Sequence, residues 1–106
     1  MYKVIVGPAA LDDLDVIIDH YIELELPREG LAKVRYLLSR GAELEVMPQR
    51  FGRLVISPNV YSPNARFIPA NHYKIIFVVD DETKTVEING YLPDKYAVRR
   101  LARRFG

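Results

Sequence analysis

The chain has 106 residues, 49% hydrophobic and 27% charged, which suits one globular domain spanning residues 1–106. It has no cysteine and only two histidines, and no apolar run long enough to cross a bilayer, which excludes a disulfide framework, a thiolate or histidine-rich metal site and a membrane span. The net charge is only +1, but it is unevenly spread: Asp12, Asp13, Asp15, Asp19, Glu23 and Glu25 crowd the early chain, and Lys95, Arg99, Arg100, Arg103 and Arg104 crowd its end, as if the basic end met something anionic.

Tyr2-Lys3-Val4-Ile5-Val6 reads as a short strand stopped by Gly7-Pro8, and Pro8 suits the opening of a helix. Leu11, Leu14, Ile17, Ile18, Tyr21 and Ile22 recur at helical spacing up to Leu26-Pro27, with acids placed to favour the helix N-terminus. Leu31, Val34, Leu37, Leu38 and Leu44 or Val46 outline a second helix, weakened but not excluded by Gly41. Two consecutive amphipathic helices with a short connector predict an antiparallel hairpin.

Leu54-Val55-Ile56 reads as extended, then Ser57-Pro58-Asn59 and Ser62-Pro63-Asn64 predict an irregular loop before Arg66-Phe67-Ile68. In Tyr73-Lys74-Ile75-Ile76-Phe77-Val78-Val79, both alternating sets are apolar apart from Lys74, which predicts a central strand. A polar turn at 80–84 leads into Thr85–Tyr91, a second clean alternation, and Pro93-Asp94 opens a short basic helix. The fold class expected is α+β: an antiparallel sheet of about four strands, an N-terminal helical hairpin on one face, and a short basic C-terminal helix.

Pairing Asp80 with Thr85 would put Lys74 opposite Tyr91, Ile76 opposite Asn89 and Val78 opposite Glu87, all facing away from the helices. Lys74, Asn89 and Tyr91 would then line one end of an open groove. Cations neutralise phosphate and tyrosines offer stacking surfaces, so such a groove beside a basic helix suits a nucleic acid. Tyr91 and Tyr96 are also at home at a half-wet packing edge, and an arginine run is often only a solvated helix face.

The pattern resembles the RelE/ParE toxin superfamily in several stretches: Leu44–Arg53 (LEVMPQRFGR), Arg66-Phe67-Ile68, Tyr73–Phe77, the turn into Thr85–Ile88, and the opening from Tyr2 to Leu14. The resemblance implies the toxin half of a type II toxin–antitoxin pair, located in the cytoplasm and bound by a cognate antitoxin that wraps it. Its RelE branch cuts messenger RNA on the ribosome, and its ParE branch inhibits DNA gyrase.

As a RelE-like endonuclease the chain would need no metal or cofactor. A ribose 2′-hydroxyl would attack its neighbouring phosphate, which calls for a proton acceptor, a proton donor and charge stabilisation. The resemblance points to Lys74, Tyr96 and Lys95; with Arg66 added for charge stabilisation, catalysis would fall to Lys74, Arg66 and Tyr96, and RNA contacts to the groove residues Tyr91 and Asn89 and to Lys95, Arg99, Arg100 and Arg103. Lys74 stands where the RelE branch typically carries arginine, so the charge is kept but the guanidinium fork is lost. A histidine used by some nuclease members near the end of the last strand is absent. The alternatives are a ParE-like gyrase inhibitor without catalysis and a degenerate member that only binds antitoxin.

Overall fold

The computed structural model describes residues 1–57 and 60–94; for 54–57 and 60–63 it describes the backbone alone. The order is β1 (Lys3–Val6), α1 (Pro8–Glu23), α2 (Pro27–Ala42), β2 (Arg53–Ser57), β3 (Val60–Ala70), β4 (Tyr73–Asp80) and β5 (Thr85–Pro93). Short 3-10 turns at Glu43–Glu45 and Pro48–Arg50 link α2 to β2. The architecture is the α+β design expected, with both helices packed on one face of the sheet.

The sheet has five strands in the order β1-β5-β4-β3-β2. β1 runs parallel to β5, and the other neighbours are antiparallel. The extra strand beyond the four expected is β2, which spans the Leu54-Val55-Ile56 stretch read as extended, and β3 starts earlier than Arg66. Most of the segment read as a loop is the first half of β3. Pro63 is tolerated because β3 pairs there with an irregular edge: the β2–β3 ladder shifts register on either side of Val55. Asn71 and His72 make the β3–β4 turn with φ of 51° and 73°, the left-handed backbone a two-residue hairpin turn demands.

α1 begins on Pro8, and its first turn carries no acid, because the aspartates start one turn in at Asp12. α2 ends at Ala42, earlier than the apolar spacing suggests, and Leu44 is buried from the 3-10 turn instead. Two glycines allow close packing. A Cβ on Gly30 would lie 2.7 Å from Tyr21 Cβ, and one on Gly41 would lie 2.9 Å from Ile88 Cδ1. The helices therefore touch each other at Gly30, and α2 rests directly on β5 at Gly41.

The core lies between the helices and the sheet. Ala10, Leu14 and Ile17 of α1 and Val34 and Leu37 of α2 meet Ile68, Ile75, Phe77, Val86, Ile88 and Tyr91. Tyr73 and Val79 join this cluster at its margins, as the β4 alternation predicts. The opposite face of the sheet is not bare: Ala65, Ile76 and Leu92 are fully buried there, outside the helix-side cluster.

Candidate functional site

Lys74 lies on the sheet face away from the helices, as expected, but it is not a free cation. Its Nζ is 2.6 Å from Asp94 Oδ1 and 5.5 Å from the centroid of the Phe67 ring. Asp94 is fixed just past the end of β5, where its N–H donates to the carbonyl of His72 at 2.9 Å. The ammonium thus has a carboxylate partner and an aromatic face, two ways in which a lysine on a buried strand is accommodated.

The β4–β5 ladder keeps the expected register only from the turn to Phe77–Ile88. Asp80 pairs with Thr85 and Val78 with Glu87, but Ile76 then pairs with Gly90, so Asn89 is an extra residue. This is a β-bulge, and the one-residue slip exchanges the faces of everything beyond it. Lys74 consequently faces Leu92, and Tyr91 pairs with Ile75 on the helix side.

Tyr91 is therefore corrected from a groove residue to a core residue, with 1% of its surface exposed. Its hydroxyl has no hydrogen-bond partner among the described residues. Burial, reinforced by the charge of Asp13, pushes its pKa up to about 12. Asp13 itself is buried in α1, and its Oδ2 accepts the backbone N–H of Tyr91 at 3.0 Å. A carboxylate under the helix roof thus pairs with a backbone donor immediately after the bulge. Asp13 falls at helical spacing among Ala10, Leu14 and Ile17, so its burial was readable from the α1 periodicity.

Arg66 pairs with Phe77 and so shares the helix-side face, not the face of Lys74. Its Nη1 donates to the carbonyl of Phe51 at 2.7 Å and to that of Gln49 at 3.3 Å. It ties the Pro48–Arg50 turn to the sheet. The structure does not bring Lys74 and Arg66 together.

Asn89 lies near the other end of the open face, in a cleft of about 390 Å³ lined by Val78, Asp80, Thr83, Thr85 and Glu87. The charges that line it are acidic, which repels rather than attracts phosphate. Lys95, Tyr96, Arg99, Arg100 and Arg103, together with the expected basic helix, lie outside the described residues. Among the described residues, no group of three or more acidic, histidine or cysteine side chains could hold a metal, and no helix is long and apolar enough to cross a membrane.

Asp94, the partner of Lys74, is not evident from the alternation of β4 and β5. The unbulged register set Lys74 against a tyrosine instead of near the end of β5. Gly90 was the clue, because an isolated glycine inside a strand often marks a bulge.

No protein-family model matches this sequence, and no curated protein matches it. Solved structures do match. A chain of the chromosomal ParDE TA system from P. aeruginosa aligns over 88% of this chain and 96% of its own, with 23% identity and a TM-score of 0.71. In the toxin–antitoxin complex RelBE2 from Mycobacterium tuberculosis the figures are 87%, 96%, 22% and 0.55. In the archaeal RelE–RelB complex from Pyrococcus horikoshii OT3 they are 87%, 93%, 20% and 0.52. The fold is one found in toxin–antitoxin complexes. It is the RelE/ParE fold that the sequence resemblance implies.

Proposed function

We propose that this chain is the toxin half of a toxin–antitoxin pair and that it works by binding a protein target, as a ParE-like inhibitor of DNA gyrase, without cutting RNA. The observation that carries this reading is the Lys74–Asp94 pair. A cation meant to stabilise a phosphate in a transition state gains nothing from a carboxylate at 2.6 Å that would repel the same phosphate. Three further observations support it. Arg66 is engaged with backbone carbonyls on the other face, Tyr91 is in the core, and the cleft at Asn89 is acidic. The higher TM-score to the ParDE chain than to the two RelE-containing complexes goes the same way.

The antitoxin partner follows from the same reading: a protein that folds with this chain and cancels its effect. The nuclease reading rests on Lys74, Arg66 and Tyr96 as catalytic groups, with Lys95, Arg99, Arg100 and Arg103 holding RNA. Inducible expression separates the two, with messenger RNA ends mapped and plasmid supercoiling followed in the same cultures. Binding of gyrase predicts intact messages, relaxed plasmids and growth arrest. Messages cut within codons while supercoiling stays normal would overturn the proposal in favour of the nuclease.

A further inference from the structure

The outer surface of the helical hairpin carries several large apolar side chains that are about half exposed. Leu11 and Ile22 of α1 are 52% and 55% exposed, and Leu31 and Leu38 of α2 are 47% and 43% exposed. Each pair lies on one stripe of its helix, because side chains seven or eleven residues apart share a face. The two stripes face each other across the seam between the helices. On the other flank of α2, Lys33 and Arg40 donate to the carbonyls of Asn71 and Pro69 at the β3–β4 end. Leu31 and Leu38 are therefore on the flank towards α1. In an antiparallel pair on one sheet, the flank of α1 displaced in the same sense, bearing Leu11 and Ile22, is the one towards α2.

The charges beside this seam are segregated. α1 carries Asp12, Asp15, Asp19 and Glu23 on its exposed surface and has no lysine or arginine. α2 carries Arg28 and Arg35 away from the flank that holds Lys33 and Arg40, and Glu29 is its one acid. Among the described residues, neither Asp15 nor Arg35 has an ion-pair partner within the chain. The two lie at one height on the hairpin, equally far along the chain from Glu25.

We infer that this surface is the interface of a two-fold homodimer, the occupant being the same hairpin of a second copy. A two-fold axis parallel to the helices lays α1 of one copy antiparallel over α2 of the other. Residues keep their height under that rotation, so Asp15 faces the partner's Arg35, and the apolar stripes close over each other. An axis perpendicular to the helices would set α1 on α1 and acid on acid, which the charges exclude. The area is modest. Helices of this length run about 24 Å, and the pair is about 20 Å wide. That covers roughly 1,000 Å² over both partners, near the lower bound for a specific interface. The dimer is consequently a reversible one, with a dissociation constant on the order of micromolar.

Sedimentation velocity on the full chain, from low micromolar to several hundred micromolar, tests this. The wild type should pass from monomer to dimer. Asp15→Arg and Arg35→Glu should each weaken association at least about tenfold, and the double variant should recover most of it, because the reversed charges pair again. Leu38→Glu should abolish the dimer, with circular dichroism confirming that the exposed substitution leaves the fold intact. A chain that stays monomeric throughout, its stripe then serving some other protein, overturns the inference. So does a dimer indifferent to Leu38→Glu, or a pair of charge reversals without mutual rescue. The gyrase reading is unaffected by any of these outcomes, since its own readouts are supercoiling and message integrity.

Discussion

The two halves of the β4–β5 hairpin obey different rules. From the turn to the Phe77–Ile88 pair, alternation and register agree, and every side chain falls on the face its sequence position assigns. Beyond Asn89 one extra residue reverses the assignment, sending Tyr91 under the helices and setting Leu92 against Lys74. The first half is specified locally, by a turn in which Asp80 Oδ1 accepts the N–H groups of Glu82 and Thr83 at 3.0 and 3.3 Å. The second half is held by a contact from far along the chain, the Asp13 carboxylate on the Tyr91 N–H. Local pattern can fix a hairpin register, but a bulge makes faces depend on tertiary partners.

That contrast breaks most visibly at Asp13. Asp13→Ala leaves a buried N–H without its charged acceptor and should cost about 3 kcal/mol in urea unfolding. Asp80→Ala, in the locally specified half, should cost only about 1 kcal/mol. A comparable loss at both positions would dissolve the distinction.

High pH should also separate the halves. The folded state holds the Tyr91 proton to about pH 12, against 10.0 for an ordinary tyrosine. Above pH 10 the unfolded chain ionises first, so this contribution to stability is intact below pH 10 and is lost as pH rises towards 12. The loss amounts to about 2–3 kcal/mol. Tyr91→Phe should remove that alkaline step. At pH 7 it should also leave stability equal or higher by up to about 1 kcal/mol, because a buried hydroxyl without a partner is deleted. A stability loss on Tyr91→Phe at pH 7 would mean that the hydroxyl is satisfied.

The smallest effect belongs to the surface pair. Lys74→Ala should change stability by less than about 1 kcal/mol, as expected of an ion pair whose side chains remain partly exposed.

The fold was legible because its strongest signals are periodic. The apolar faces of α1, α2 and β4 point to one core, and the hairpin-on-sheet arrangement follows from them. Strand β2 showed as the extended Leu54-Val55-Ile56, but the first half of β3 was hidden by the Ser62-Pro63-Asn64 stretch, which mimics a loop when it sits near a sheet edge. The candidate site was legible only to the bulge. Lys74 is on the predicted face, Asn89 is at the bulge itself, and Tyr91 is in the core. The face of Arg66 depended on how many residues turn the chain at Asn71-His72, which local pattern leaves open.

The central functional claim is that Lys74 is a paired structural cation and not part of a catalytic site. Cells induced to express Lys74→Ala, with growth followed and messenger RNA ends mapped, test it most directly. Growth arrest at the wild-type level with uncut messages is the expected result. Wild-type cultures with messages cleaved within codons, and loss of both cleavage and arrest in a folded Lys74→Ala variant, would contradict it.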